Sequence, residues 1–333
     1  MLTAFVRRTC GTGAALVFLI FAACSGGAPS VIDPRSPAAE RIASLWWLML
    51  VISAAVFVLV VVMIVVGVVR RGRPGVDSEA RWTGPFIVLG GIVASSMILI
   101  AVFVVSLIDL RAIAGDTDGE HFTIDVIGHD WWWEARYPGG AVTANEIHVP
   151  AGRSVRLRLS TADVIHSFWV PQLGPKTDMI PGRINTAIVH ANDPGRYRGQ
   201  CAEYCGLQHA KMVLWIVADE PAAFEDWLRN ESRSRREPTD ALARRGERIF
   251  LESTCAECHA IRGTAAEGNL GPDLTHLASR ETIAAGVLPN TTSTLASWIT
   301  DPQQSKPGAA MPPNDQLTAE DIAALVAYLE GLR

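Results

Sequence analysis

Residues 201–212 read CAEYCGLQHAKM, which places two thiols, an imidazole and a thioether in one short segment. Soft sulfur ligands combined with imidazole favour copper, and a weak thioether ligand is typical of copper sites that transfer electrons. Two other interpretations of these residues stay open. Outside the cytoplasm the two cysteines could form a disulfide. A zinc site could use the cysteines and the histidine but would rarely need the methionine.

Short predicted strands flank this segment. The stretches EIHVP, SVRLRLS, TAIVH and MVLWIVAD are rich in β-branched residues and partly alternating, and Pro-Gly turn signals separate them. Several short strands at this spacing predict an all-β sandwich or barrel, with the CAEYCGLQHAKM segment on a loop between strands. A predicted helix at about 221–230 closes this domain, which therefore covers residues 112–230.

The first third of the chain is apolar. Overall, 49% of the residues are hydrophobic and 19% are charged, whereas soluble domains carry about 25% charged residues. Two uncharged runs, at about 42–69 and 84–108, are long enough to cross a bilayer as helices, so residues 35–110 are predicted to form a transmembrane hairpin. The positive-inside rule puts the arginine-rich loop between the runs in the cytoplasm and everything after about residue 110 outside it. The loop arginines are Arg70, Arg71, Arg73 and Arg81.

Residues 1–24 are predicted to be a signal peptide. Two arginines precede an apolar run at 11–23 that is too short to span a bilayer. The run ends in AACS, which resembles a bacterial lipoprotein cleavage site with Cys24 as the lipidated residue. Phe21 stands where such sites usually carry leucine, so an ordinary signal peptide and an uncleaved anchor stay open as alternatives.

A second element extends the metal motif. Residues 164–171 read VIHSFWVP, and the triplets KTD and PGR follow it. Together with CAEYCGLQHAKM and the stretch GHDWWW at 128–133, they resemble cytochrome c oxidase subunit II over about residues 35–230. The resemblance implies a cupredoxin-like domain that holds two copper ions, the dinuclear CuA centre, bridged by two thiolates. The ligands it implies are Cys201, Cys205, His166, His209, Met212 and the backbone carbonyl of Glu203.

The same resemblance implies roles for three more side chains. Trp131 aligns with the tryptophan through which electrons enter the family's copper domain. The Glu203 carboxylate aligns with a ligand of a magnesium ion shared with the catalytic subunit. Glu79 aligns with a carboxylate at the mouth of a proton channel, with an interfacial glutamate as the alternative. The other upstream histidines are interpreted as structural or surface groups: His121, His129, His148 and His190.

A second motif, CAECH at 255–259, is the signal for covalent haem attachment. It predicts thioether bonds from Cys255 and Cys258 and an axial imidazole from His259. Cytochrome assembly takes place outside the cytoplasm, in the compartment that the membrane topology assigns to this segment.

The chain after a polar predicted linker at 231–240 has a helical pattern, which predicts a small all-α cytochrome c domain at 241–333. Met311 is the single downstream methionine and lies in a proline-flanked loop, so it is predicted to be the second iron ligand. His276 stays open as the alternative ligand. The segment 298–312 resembles the cytochrome c domains fused to some subunit II proteins.

These features predict subunit II of a haem–copper cytochrome c oxidase of the caa type. Electrons from a cytochrome or a quinol–cytochrome c reductase would pass through the haem and CuA to catalytic subunit I, which reduces oxygen to water while protons are pumped. This chain is then an enzyme subunit without an oxygen-reducing site of its own, because its two spans contain no histidine. Other oxidase subunits and membrane lipid are the further predicted partners. The predicted location is the bacterial inner membrane, multi-pass, with both soluble domains on the outer side.

The same residues bear on other functions. A copper-bearing electron-transfer subunit of a nitric oxide reductase stays open. A nitrous oxide reductase-like protein would need a large catalytic domain, for which the chain has no room. A membrane-anchored copper chaperone or redox sensor is disfavoured because the predicted ligands saturate the metal. Nucleic acid is disfavoured as a partner by the net charge of −5.

Overall fold

Two long apolar helical spans come first in the structure. The computed structural model describes residues 29–70, 83–114 and 121–333, and the predicted signal peptide and Glu79 lie outside these ranges. Both spans are long and apolar enough to cross a membrane, and Arg41 of the first pairs with Asp109 of the second at 3.2 Å. The first span is α1 (Pro37–Arg70); the second comprises α2 (Thr83–Phe86), a π-helical stretch (Ile87–Ala94) and α3 (Ser95–Ala114).

Residues 122–219 form a β-sandwich, which confirms the predicted all-β class. One sheet has the strand order β3-β2-β1-β5-β8 and the other the order β4-β10-β9-β6-β7. Trp133, Leu157 and Ile216 are fully buried in their shared core. The strands are β1 (Phe122–His129), β2 (Trp132–Arg136), β3 (Val142–Ala144), β4 (Glu146–Pro150), β5 (Val155–Thr161), β6 (His166–Trp169), β7 (Thr177–Met179), β8 (Asn185–Val189), β9 (Gly195–Cys201) and β10 (Val213–Asp219).

A helix, α4 (Pro221–Glu231), packs on the sandwich. Its buried Phe224 meets Phe122 of β1 edge to face, with ring centroids 5.5 Å apart. Trp227 stacks on His148 at 4.1 Å, and His148 Nδ1 hydrogen-bonds to the Asp219 carboxylate at 2.6 Å. His148 therefore takes part in packing the helix onto the sheet.

The rest of the chain forms a small helical domain, as the helical pattern predicts. Its core surrounds the crossing of α5 and α9, where a Cβ at position 246 would fall 1.9 Å from the Ala324 carbonyl oxygen. Gly246 is therefore the residue that lets these two helices touch. The helices are α5 (Ala241–Glu252), α6 (Cys255–Cys258), α7 (Thr292–Thr300), α8 (Pro302–Ser305) and α9 (Ala319–Glu330), and a short hairpin pairs β11 (Thr282–Ile283) with β12 (Leu288–Pro289).

A buried carboxylate joins the helical domain to the sandwich. Glu146 of β4 is 2% exposed and accepts hydrogen bonds from the backbone N–H groups of Glu281 at 3.1 Å and Thr282 at 2.8 Å. The Thr282 hydroxyl donates to the same carboxylate at 2.5 Å. Arg196 pairs with Glu146 at 3.3 Å and with Glu281 at 3.2 Å, so one ionic network spans the interface.

The segment predicted as a linker lies against the helical domain. Arg235 forms an ion pair with Glu247, and its backbone N–H donates to the Arg262 carbonyl at 3.0 Å. The charges of residues 231–240 therefore serve partly to attach this segment to the domain that follows it.

Candidate metal and haem sites

Strand pairing brings His166 and Cys201 together. β6 begins at His166 and β9 ends at Cys201, and the two strands are antiparallel neighbours with Phe168 opposite Cys201. His166 Nδ1 lies 3.9 Å from Cys201 Sγ, and both side chains are buried. A Cβ at Gly128 of β1 would fall 2.8 Å from His166 Cδ2, so a side chain at that position would displace the imidazole.

The loop after Cys201 folds the other donors onto the same point. The Sγ atoms of Cys201 and Cys205 are 3.7 Å apart, and the Glu203 carbonyl oxygen is 3.1 Å from Cys201 Sγ. Next to Cys205 Sγ, His209 Nδ1 lies at 3.7 Å and Met212 Sδ at 3.8 Å. The structure therefore brings together every predicted copper ligand, with each thiol next to one imidazole.

The two thiols share a proton in the metal-free chain. A hydrogen bond from the Cys205 thiol lowers the pKa of Cys201 to about 3, and the same pairing raises the pKa of Cys205 well above its ordinary value. Burial opposes protonation of His166, but hydrogen bonds to Asp163 and Cys201 outweigh it and raise the pKa of His166 to about 9. Metal binding here therefore releases protons, because ligands must be deprotonated to bind.

Asp163 is a supporting residue that the sequence analysis missed. Its carboxylate accepts a hydrogen bond from His166 Nε2 at 2.7 Å, which turns Nδ1 of the ring toward the thiols. It also accepts one from the backbone N–H of Asp130 at 2.7 Å. The only signal in the sequence is a carboxylate three residues before a ligand histidine. That spacing does not by itself predict a contact; the contact forms because the chain turns between Asp163 and His166.

The donor set fits copper. Cys201 and Cys205 are free thiols, and the 3.7 Å between their sulfurs is far longer than the roughly 2.05 Å of a disulfide bond. Met212 is fully buried with its sulfur toward Cys205. A thioether in that position is a usual copper ligand and a rare zinc ligand, so the arrangement favours the copper interpretation.

A cavity of about 470 Å³ lies beside the CAECH segment and is lined by Cys255, Cys258, His259 and Met311. Burial lowers the pKa of His259, so its imidazole is neutral. Its Nδ1 donates to the Pro272 carbonyl at 2.8 Å, which leaves Nε2 as the ring nitrogen that can bind iron. The cavity therefore offers both predicted thioether positions and two axial ligands.

Two further basic residues separate the alternatives for this cavity. Arg280 lines it, is buried, and has no hydrogen-bond partner for Nε within the described part of the chain; a guanidinium there suits the carboxylates of a haem. His276 does not line the cavity, and its Nε2 donates to the Arg233 carbonyl at 3.0 Å. The residues present thus fit a haem, with Met311 rather than His276 facing the cavity.

Family comparisons agree with both sites. Residues 140–219 match the model described as the periplasmic domain of cytochrome c oxidase subunit II, and residues 243–333 match that of cytochrome c. Two stretches of this chain are therefore similar to cytochrome c oxidase subunit II and to cytochrome c. Copper and haem c are the cofactors that these two domains imply.

Individual relatives of the subunit II family cover much of the chain. Cytochrome c oxidase subunit 2 of Alkalihalophilus pseudofirmus is 41% identical over 211 residues, which are 63% of this chain and 61% of the relative. That of Bacillus sp. strain PS3 is 33% identical over 228 residues, 65% of this chain and 64% of the relative. This chain therefore spans a little under two thirds of these relatives. Among solved structures, the periplasmic domain of subunit II of cytochrome oxidase (CoxB) of Bradyrhizobium japonicum is 34% identical to this chain. The aligned part is 33% of this chain and 92% of the CoxB domain, with a TM-score of 0.32.

Trp131 of the subunit II domain lies between the two sites. It lines the cavity beside the haem-attachment residues, and its indole Nε1 donates to the Cys205 carbonyl at 2.7 Å. Trp132 also lines the cavity but stacks on His129 at 4.2 Å, and Trp133 is buried in the sandwich core. Trp131 is therefore the aromatic residue that contacts both the cavity and a thiol-bearing residue.

Glu203 of the subunit II domain presents its two acceptor groups to different surroundings. Its backbone carbonyl faces Cys201 Sγ. Its carboxylate pairs with Lys176 at 3.3 Å and is 45% exposed, so it is accessible from outside the domain.

Proposed function

We propose that this chain is the subunit through which electrons enter a proton-pumping haem–copper cytochrome c oxidase, passing from its haem c through a dinuclear copper centre to a catalytic partner that reduces oxygen to water. The observation that carries the proposal is the position of Trp131. The Trp131 side chain lines the haem cavity, and its indole N–H donates a hydrogen bond to the Cys205 carbonyl. A continuous protein contact therefore connects the two cofactor sites.

The copper centre in this proposal is held by six donors. Cys201 and Cys205 would supply the two thiolates, and copper bound there would supply reversible one-electron chemistry. The protein's part is to bury these ligands and fix their directions, so that little rearrangement accompanies a change of charge. The hydrogen bond from His166 to Asp163 and the packing of Gly128 against the same ring both serve this purpose. The terminal donors are His166, His209, Met212 and the Glu203 carbonyl.

In this proposal Cys255 and Cys258 would hold the haem covalently, and His259 and Met311 would be the side chains that bind its iron. The Pro272 carbonyl fixes the His259 ring. Burial keeps that imidazole neutral, since its pKa is lowered. A methionine opposite a histidine raises the reduction potential of a haem, which suits a centre that receives electrons from an outside donor.

The two apolar spans anchor the chain in this proposal, with both soluble domains on the outer face of a bacterial membrane. The catalytic subunit and other oxidase subunits are the partners, and a cytochrome or a quinol–cytochrome c reductase is the donor. The exposed Glu203 carboxylate is the group available for a magnesium ion shared with the catalytic subunit. Glu79 is assigned to the mouth of a proton channel from the sequence resemblance.

Co-expression of the full chain with its catalytic partner tests the proposed function. We expect the purified complex to contain copper and covalent haem and to consume oxygen when supplied with a reduced cytochrome. Turnover of nitric oxide without turnover of oxygen would replace the proposal with the nitric oxide reductase alternative. A Cys201→Ser and Cys205→Ser double variant should purify with the same partner but lose electron delivery.

A further inference from the structure

The loop that leads to Met311 is hydrogen-bonded to the copper-ligand loop. From the copper side, Lys211 Nζ donates to the Ser305 carbonyl at 2.5 Å, and Gln208 Nε2 donates to the Pro307 carbonyl. Gln208 and Lys211 lie on either side of His209 in the sequence. The two loops that carry axial and copper ligands are therefore held in a fixed register.

Lys306 crosses this interface in the opposite direction. Its Nζ donates to the backbone carbonyl of Trp131 at 3.1 Å, while the Trp131 indole donates to the Cys205 carbonyl at 2.7 Å. Both Lys306 and Trp131 line the haem cavity. Trp131 is thus held at its backbone by the cytochrome c domain and at its ring by the copper loop.

Packing alone does not account for a lysine at this position. Lys306 is 4% exposed, and its Nζ contacts a carbonyl oxygen rather than a carboxylate. Burial, with nearby Lys211 acting in the same direction, lowers the pKa of Lys306 to about 8. A buried charge without a counter-charge is destabilising, and a methionine of similar length would fill the same space without that cost. The specific interaction with Trp131 is what a lysine adds.

We propose that Lys306 is a positioning residue that holds Trp131 between the haem cavity and the copper loop. The inference rests on the proposed function, because the position of Trp131 affects the rate only if electrons pass between the two sites. The step it would serve is the transfer of one electron from a reduced haem to an oxidised copper centre held by the residues named above. No bond forms or breaks in that step, and Lys306 keeps its proton.

The test compares Lys306→Met with the control variant Arg196→Met in the full chain. Arg196 is also a cation at the domain interface, but it contacts Glu146 and Glu281 rather than either ligand loop. The first readout is hydrogen exchange of the Trp131 indole N–H, followed by NMR of ¹⁵N-labelled tryptophan in the fully reduced, diamagnetic protein and assigned with Trp131→Phe. We expect exchange at least about tenfold faster in Lys306→Met, because local opening becomes easier, and unchanged exchange in Arg196→Met.

The second readout is the rate of electron transfer from photoreduced haem to copper. We expect Lys306→Met to lower it by roughly tenfold or more, since small misplacements of an aligned group have large effects on rate. The thermal midpoint should stay the same or rise, because a buried unpaired charge is removed.

Three results would overturn the proposal. The first is an unchanged Trp131 indole exchange in Lys306→Met, and the second is an equal effect of Lys306→Met and Arg196→Met. The third is a Lys306→Met variant whose haem reduction potential shifts while the exchange rate of the Trp131 indole stays unchanged. That result would mean that Lys306 acts on the haem and not on Trp131. If the wild-type chain itself passes no electrons between haem and copper, the proposed function fails, and the indole exchange still decides the role of Lys306.

Discussion

At the scale of single residues, the second iron ligand is decided by one substitution. Met311 lines the haem cavity, whereas His276 is engaged with a backbone carbonyl elsewhere. We expect Met311→Leu to abolish the methionine-to-ferric-iron charge-transfer absorption and to lower the haem reduction potential, because methionine–histidine ligation raises it. Near-infrared absorption and a redox titration measure the two effects. His276→Gln should leave both unchanged; persistence of the band in Met311→Leu would contradict the assignment.

The copper ligands allow a second prediction at this scale. With Cys201 and Cys205 as bridges, the oxidised full chain should show the hyperfine pattern of one electron shared equally by two copper nuclei. Cys205→Ser removes a bridge next to both His209 and Met212, so it should give the pattern of a single copper nucleus or no copper at all. Electron paramagnetic resonance with metal analysis measures this. Tyr204→Phe, at a side chain exposed to 76%, is the control, and zinc in the wild-type site would refute the centre.

The ligands could be predicted from the sequence, but their supporting residues could not. Cys201, Cys205 and His209 belong to one local motif whose chemistry can be read without knowing the fold. Asp163 and Lys306 act through contacts that only the folded chain creates, since Lys306 meets Trp131 across 175 residues of sequence. A lone lysine or aspartate has no distinctive sequence pattern, so its role appears only when its partner is known.

At the scale of elements, the start of α9 gives the third prediction. The Thr318 side chain accepts from the Asp321 backbone N–H, and the Asp321 carboxylate accepts from the Thr318 backbone N–H, which forms a capping box. We expect Thr318→Ala to lower the free energy of unfolding of the cytochrome c domain by about 1 kcal/mol. Chemical denaturation followed by haem absorption measures it, with Thr264→Ala on a loop as a comparison outside any helix start.

The same cap carries a pH dependence with a definite sign. Hydrogen bonds from Thr318, together with Arg245, lower the pKa of Asp321 below its model-peptide value of 3.8. A depressed carboxyl pKa stabilises the fold above the unfolded-state value, and this contribution is lost as the pH falls through the folded-state value. The difference in stability between wild type and Thr318→Ala should therefore be largest at neutral pH and narrow as the pH falls through the folded-state pKa of Asp321. A constant difference across that range would contradict the link between the two residues.

The elements themselves were mostly predictable, while their contacts were not. The Thr318 helix start and the strands near the copper loop follow from capping residues and β-branched runs. Gly246 carries no such signal, because a glycine inside an amphipathic helix is recognised as a contact point only when Ala324 is seen against it. The polar stretch at 231–240 similarly has the composition of a plain linker, and only the folded chain pairs its Arg235 with Glu247.

At the scale of the whole molecule, the copper domain and the cytochrome c domain form one hydrogen-bonded unit. The contacts include one group between the ligand loops around Lys306 and one group around Glu146, and the Val213 N–H also donates to the Ala285 carbonyl at 3.2 Å. The first group links the two ligand loops, and Thr282 of the second group also lines the haem cavity. The second lies away from the ligand loops and holds the β11 end of the cytochrome c domain on β4. Trp131 is hydrogen-bonded to Lys306 and Cys205 and not to the Glu146 group, so we expect substitutions at Glu146 and at Lys306 to have different effects on Trp131.

Glu146 gives the prediction for this scale. Its buried carboxylate accepts from two backbone N–H groups and the Thr282 hydroxyl, and an amide in its place would turn its NH2 group toward at least one of those donors. Breaking a buried charged network costs about 3–5 kcal/mol. We therefore expect Glu146→Gln to raise the rate of hydrogen exchange at the Glu281 and Thr282 amides by at least about a hundredfold, measured by mass spectrometry on the full chain.

The matched control is Glu281→Gln. It removes only the ion pair between Arg196 and the Glu281 carboxylate, which is 68% exposed, and exposed pairs contribute about 0–1 kcal/mol. Equal exchange in the two variants would show that the buried carboxylate does not hold the domains together.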